Sequence, residues 1–335
     1  MLFIFSSLLF SSQKTSAEAW ENYKHKFIQE DGRVVDYYNN AITHTEAIGY
    51  TLYFSYKLND TKTFTKVYSW YKNNIKKNRY NLPGWKWGQN QNKEWGMLDL
   101  TSATDSNLWI AYSLMLMNEK KPNEMYAFDA QELLKAVKKH QIVTLNARTY
   151  LLPWEKQLNN NQNIKLNPSY FIFEIFEYLA KKENDQIWSN LIRSSKQLLK
   201  EARFSSLELN SDWFIYNIKE RKQAPLKKDI LFGYDAIRIP LHILRSSLTK
   251  IEKKALLKPY KNYVKMMKDY PLGVVNLSKG SISLYNLSYG HLAIYIKLGK
   301  YFSLNVSNLE KILKHRMTED NENYYAYSLY LLTIL

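Results

Sequence analysis

The 335-residue sequence contains no cysteine. That excludes disulfides, thiolate metal sites and a cysteine nucleophile. Six histidines leave little material for a multi-histidine metal centre, and no metal or cofactor is expected. Glycine (10) and proline (8) are too scarce for the many tight turns of an all-β protein. No stretch supplies the roughly 18 uncharged apolar residues of a membrane span, so stable membrane insertion is not expected. What is present is 45% hydrophobic and 23% charged residues, the balance of a folded globular chain. Aromatic residues are abundant, with 27 Tyr, 14 Phe and 9 Trp, more than one core ordinarily absorbs.

Lys and Arg number 47 against 31 Asp and Glu, a net charge of +16. The positive charges are spread along the chain in short clusters such as Lys120-Lys121 and Lys253-Lys254. This pattern reads as a solvated basic surface, and no nucleic-acid partner is expected. At the N-terminus, Leu2 to Phe10 are all apolar or Ser, and Ser16-Ala17-Glu18-Ala19 follows a polar stretch. A short apolar segment before an A-x-A-like site resembles a secretory signal peptide, although the usual basic residues at its start are missing. Residues 1–19 are read as that signal peptide, with the mature chain starting near Trp20 in the periplasm or outside the cell.

Apolar periodicity predicts twelve helices, at about 20–30, 43–58, 61–75, 104–117, 123–139, 168–180, 183–202, 234–247, 249–263, 283–299, 304–315 and 321–335. Short and long connections alternate between them. A short turn makes an antiparallel helical hairpin, so every helix that follows a long connection starts at the same end. The first four such starts, near 43, 104, 168 and 234, lie 61, 64 and 66 residues apart. That period, with two helices per unit, predicts stacked hairpins in one domain over 20–335. Six pairs close into an all-α (α/α)6 barrel, a toroid in which 321–335 packs beside 20–30. Its inner helices are apolar almost all round, as in Leu108 to Met117, and are expected to be buried on every face.

The long loops at one rim are the place to look for function. Glu46, Asp105, Tyr170 and Asp235 stand at inner-helix starts there. Each acid has a plain structural reading. Glu46 complements a helix dipole, Asp105 caps its helix, and Asp235 pairs with Arg238 three residues on. The functional reading takes them together. Glu46, among apolar neighbours, can keep and give a proton. Acids facing across an aromatic cleft suit glycoside hydrolysis, in which one protonates the leaving oxygen and another activates water or attacks carbon. Trp85, Trp87, Trp95, Trp154 and Trp213 lie in the loops, and such rings pack on sugar faces.

Several segments then carry a resemblance, in order along the chain: Trp20 to Lys24, Asp31 to Asp36, Glu46 to Tyr50, Trp85-Lys86-Trp87-Gly88, Ala103-Thr104-Asp105-Ser106-Asn107-Leu108-Trp109, Asn167-Pro168-Ser169-Tyr170, Ser211-Asp212-Trp213, Tyr234-Asp235-Ala236-Ile237-Arg238 and Tyr324 to Tyr327. The chain resembles glycoside hydrolase family 8, and within it the cellulases encoded with bacterial cellulose synthesis machinery. The resemblance implies an (α/α)6 barrel, inverting hydrolysis of β-1,4-glucan by an endo-acting enzyme, and a functional link to a cellulose synthase complex. It further implies Glu46 as general acid, Asp235 as general base and Asp105 holding the sugar at the cleavage subsite. Tyr170 and Arg238 would shape the pocket around the base, and Trp85, Trp87, Trp213 and Tyr234 would contact substrate.

The chain departs from the family pattern at Ala47, Ile48 and Thr51, where relatives carry Gly, Gln and Gly. It departs again at Asn107, an acid in the family signature. The departures keep a second reading open, a glucan-binding relative with weakened or lost turnover. Xylan, mixed-linkage glucan and chitosan remain alternative substrates, although +16 argues against cationic chitosan. A lyase for acidic polysaccharide would suit the charge but needs a His/Tyr/Arg centre in place of paired acids.

Overall fold

The computed structural model describes residues 16–155, 163–224, 229–269, 271, 273–283, 287–319 and 323–335. The apolar segment of the expected signal peptide lies outside these residues, as do residues 284–286 and 321–322 at the starts of two expected helices. Twelve α-helices occur among the described residues. They are α1 (16–27), α2 (Thr45–Lys57), α3 (Thr61–Asn74), α4 (Thr104–Lys120), α5 (Glu124–His140), α6 (Phe173–Lys182), α7 (Gln186–Glu201), α8 (Arg238–Arg245), α9 (Lys250–Met267), α10 (Tyr289–Tyr301), α11 (Ser307–Glu319) and α12 (Tyr324–Ile334). Each overlaps an expected one. Starts are set by side-chain caps: Asp60 accepts from Thr63 N, Asp185 from Ile187 N, and Thr249 and Glu252 form a capping box.

Two starts differ from expectation. Residues 168–170 form a 3-10 turn, and α6 begins only at Phe173. Residues 234–237 form a turn, and α8 begins at Arg238. Pro240 gives the reason for the second: it has no N–H to donate and crowds the carbonyl four residues back, so it belongs in a helix's first turn.

The long connections also hold short strands that periodicity did not reveal. They are β1 (Thr43–His44), β2 (Lys86–Gln89), β3 (Trp95–Asp99), β4 (Ile142–Leu145), β5 (Arg148–Leu151), β6 (Asn163–Leu166), β7 (Phe214–Asn217), β8 (Lys222–Ala224), β9 (Leu231–Phe232), β10 (Val275–Asn276) and β11 (Ser281–Ile282). All pair antiparallel, as β1-β2-β3, β4-β5, β6-β7-β8 and β9-β10-β11. Scarce glycine is no obstacle to their turns. Positive φ angles fall to Lys93 between β2 and β3, Asn146 and Ala147 between β4 and β5, and Arg221 between β7 and β8, while Asn59 and Asn184 take them between helices; asparagine tolerates that region better than most side chains.

The helices divide into two compact units, one of residues 1–134 with 320–335 and one of residues 135–319. In the first unit, α2 packs against α3, α4 and α12. The chain ends meet there as expected: Tyr23 and Phe27 of α1 pack edge-on against Tyr327, with ring centroids 5.9 and 5.8 Å away. Asp60 ties α1 down, accepting from Trp20 Nε1 at 3.1 Å and Lys24 Nζ at 2.8 Å. In the second unit α6 packs on α7, α8 on α9 and α10 on α11, while α8 also meets α6 and α10. The apolar segment Leu108 to Leu114 of α4 is buried, as are most residues of α2, α10 and α12.

α2 and α4 lie in register. Gly49 faces Ser106, Trp109 and Ile110, and Tyr53 meets Trp109 and Tyr112. The two helices therefore run parallel, and their first turns, with Glu46 and Asp105, lie at the same end. A Cβ at Gly49 would stand 2.7 Å from Trp109 Cβ. Gly49→Ala thus opposes two effects: about 1 kcal/mol gained in helix propensity and about 1–3 kcal/mol lost to overpacking. Backbone-proximal atoms cannot swing away, so urea denaturation should show net destabilisation. A more stable variant would contradict this packing.

Candidate active site

In the first unit, the acid-bearing helix grows directly out of a strand. Thr43 and His44 of β1 pair with Trp87 and Lys86 of β2, and Thr45 N donates to Trp85 O at 3.0 Å. His44 caps α2 by accepting from Ala47 N. Two residues into the helix, Glu46 is half-buried, and Tyr50 donates its hydroxyl to Glu46 Oε1 at 3.2 Å. Tyr324 is buried beside it. Burial, the neighbouring Tyr23 and the Glu46 charge push its phenol well above its ordinary pKa. Asp105 is buried in the first turn of α4, with Oδ1 accepting from Ser106 N at 2.8 Å. Asn107, where the family signature has an acid, is buried and donates to Ser102 Oγ at 2.8 Å. The other departures from that pattern, Ala47, Ile48 and Thr51, are fully buried, and Thr51 bonds the Tyr23 hydroxyl at 2.9 Å.

In the second unit the structure gathers five of the sequence-predicted residues. Asp235 lies in the 234–237 turn with its side chain 31% exposed. The buried Arg238 donates through Nη2 to Asp235 Oδ1 at 2.6 Å and to Ser169 Oγ at 2.9 Å. Ser169 is itself fixed by Asn167 Oδ1 at 2.6 Å. The guanidinium lies 5.8 Å from the ring centre of Tyr170, which meets Trp213 edge-on at 6.2 Å. Trp154 stands 5.7 Å beyond Trp213, and Lys165 Nζ lies 4.5 Å from the Trp213 ring. Tyr234 is 51% exposed and rests on His291, whose burial lowers its pKa to about 3 and keeps it neutral. The result is a carboxylate with one oxygen held by arginine, an aromatic row leading from it, and an exposed tyrosine beside it.

Carboxylates and aromatics in this arrangement are the equipment for handling a sugar polymer. The model of the family described as glycosyl hydrolases family 8 matches residues 3–335. The chain belongs to that family. The family 8 chain is 29% identical over 281 residues to an endoglucanase of Cellulomonas uda, covering 82% of this chain and 76% of that protein. It is 30% identical over 227 residues to an endoglucanase of Salmonella typhi, covering 67% of this chain and 60% of that protein. The crystal structure of the endo-1,4-D-glucanase from Vibrio fischeri ES114 superposes with a TM-score of 0.82 at 27% identity, covering 94% of this chain and 93% of that one. The chain is a glycoside hydrolase of the all-α (α/α)6 fold class.

Two features of the hydrolase differ from the sequence reading. Trp87 is largely enclosed. It is only 9% exposed, packed edge-on by Trp70 at 5.1 Å, stacked on Trp95 at 5.2 Å, and covered by the Arg33 guanidinium at 4.6 Å. Trp85, by contrast, stays partly exposed, its indole donating to Asp99. Trp85 lies just before β2 and Trp87 within it, next to a shift in the β2-β3 register between Lys86 and Trp87, and the two rings differ in burial. The second feature is Asp212, which sequence reasoning used only as the neighbour of Trp213. Its Oδ1 accepts from the backbone N–H groups of Gly233, Asp235 and Ala236 at 2.9, 3.2 and 2.7 Å. Loss of water and then the Asp235 charge raise its pKa to about 7 against the pull of those three bonds. No periodicity marks such a residue.

Trp87→Ala should therefore cost about 3–5 kcal/mol of stability as a core truncation, and Trp85→Ala under about 1 kcal/mol as a change at a partly exposed site. Chemical denaturation of both variants checks this. Equal losses would contradict the different burial of the two rings.

Proposed function

We propose that this family 8 hydrolase cleaves β-1,4-glucan internally and with inversion, Glu46 serving as general acid and Asp235 as general base. Glu46 gives its proton to the glycosidic oxygen as that bond breaks. Asp235 takes a proton from the water that attacks the anomeric carbon from the opposite face. The enzyme is left with Glu46 ionised and Asp235 protonated, and solvent restores both. The observation that carries the reading is the Asp235–Arg238–Ser169 arrangement. One carboxylate oxygen is committed to a buried guanidinium at 2.6 Å, which fixes the carboxyl's orientation, while the side chain stays open to solvent. Asp105, at the same end of its unit as Glu46, is assigned to the sugar at the cleavage subsite. The partly exposed Trp85 and the row of Tyr170, Trp213 and Tyr234 are assigned to neighbouring sugar units, whose apolar faces suit aromatic rings.

The relatives named endoglucanase support cellulose-type glucan as substrate. Burial of Ala47, Ile48 and Thr51 supports retained turnover over a purely glucan-binding role, because these departures fill the core instead of facing solvent. The N-terminal segment supports export, and a glucan emerging from a cellulose synthase would then be within reach. Cell fractionation tests the location.

Reducing ends should appear when the protein meets carboxymethylcellulose. Glu46→Gln and Asp235→Asn should each lower the rate by about 10²–10⁴-fold, with circular dichroism unchanged. Near wild-type turnover in folded Asp235→Asn would remove it from the mechanism. A wild-type protein that binds glucans yet releases no reducing ends would establish the binding role instead.

A further inference from the structure

Asp235 sits in a turn ahead of α8, where Ile237 N donates to Gly233 O at 3.2 Å and Arg238 N to Asp235 O at 3.0 Å. The N–H groups at the front of the turn are held from outside. Three consecutive-region donors, Gly233 N, Asp235 N and Ala236 N, converge on the single oxygen Asp212 Oδ1. Asp212 is itself anchored, its backbone N donating to Leu231 O at 2.7 Å. Gly233 lets the carboxyl come this close: a Cβ there would lie 2.7 Å from Asp212 Oδ2 and 3.2 and 3.3 Å from the Val274 methyls. Arg238 then reaches back from the start of α8 to the Asp235 carboxyl. Asp212 thus braces the front of the turn beside the turn's own backbone bonds, and Arg238 holds the side chain.

We propose that Asp212 is the positioning residue of the Asp235 turn, its Oδ1 acting as a three-fold acceptor that holds the carboxylate of Asp235 where it can take a proton from water. The inference rests on Asp235 being the base. Asp212 touches neither substrate nor water in this scheme; it acts through the backbone of 233–236. A displacement of about 1 Å at a reacting group costs on the order of 10²-fold in rate. The aromatic wall is held separately, because Ser211 Oγ donates to Trp213 O at 2.8 Å. Loss of the Asp212 acceptor should therefore fall on kcat and leave KM nearly unchanged.

Three variants of the full chain decide it, measured on carboxymethylcellulose with folding checked by circular dichroism. Asp212→Ala should lower kcat about 10²-fold with little change in KM. Asp212→Asn keeps an oxygen acceptor in place and should restore kcat to within about 5-fold of wild type, since a neutral carbonyl still accepts N–H bonds. Gly233→Ala leaves Asp212 intact but drives its carboxyl off the turn, and should also lower kcat. It stands in should Asp212→Ala fail to fold. Folded Asp212→Ala or Gly233→Ala at wild-type kcat overturns the proposal, as does Asp212→Asn as slow as Asp212→Ala. The same assay run on Asp235→Asn separates the two ideas: activity there discards the base assignment, whereas inactivity there with an indifferent Asp212→Ala discards only the role of Asp212.

Discussion

A helix with apolar residues on every face has to be enclosed on every face, and the rest of this molecule follows from meeting that demand. α4 and α12 are such helices, and each needs neighbours that approach closely along their whole length. Gly49 is where α2 meets α4 without an intervening side chain, and Tyr50 and Tyr53 pack on Trp109 and Tyr112 down the seam. The long connections fold into small sheets, and one of them lies along α7, where Thr149 N donates to Ser194 Oγ and Arg148 pairs with Glu201. The first turns of the enclosed helices, where polar groups are wanted to satisfy free backbone N–H groups, are also where Glu46 and Asp105 are found.

The two carboxyl groups assigned to proton transfer are held by different means. Glu46 belongs to a helix whose start is pinned by strand pairing and a histidine cap, so its position follows from the backbone of α2 and β1. Asp235 precedes its helix, because Pro240 keeps α8 from starting earlier. Its position depends on side chains instead: Arg238 on the carboxyl, Ser169 and Asn167 behind Arg238, and Asp212 under the backbone. A carboxylate held this way keeps some exposure to water while retaining little freedom of orientation.

Much of this was legible in the sequence because it is periodic or locally patterned. The all-round apolar runs gave the enclosed helices, the alternation of short and long connections gave the hairpins, and the ordered acid and aromatic segments gave the family. What escaped has a common cause. Strands of two to five residues are too short to display a period of two, and asparagines in the left-handed region stood where glycines would have advertised turns. Trp85 and Trp87 look equivalent in sequence, yet only Trp87 belongs to β2 and is buried. Asp212 makes its contacts to residues 21 to 24 positions away, which no local pattern encodes.

The proposed hydrolysis is a single-step displacement by water between a general acid and a general base. Inverting enzymes keep their two carboxyl groups roughly 6.5–9.5 Å apart to admit that water, against about 5–5.5 Å where a covalent intermediate forms. The configuration of the first product reads the difference directly. Proton NMR recorded in the opening minutes of β-glucan hydrolysis should show the α-anomer of the new reducing end appearing first and passing to the β-anomer only by mutarotation. Initial appearance of the β-anomer would contradict the mechanism.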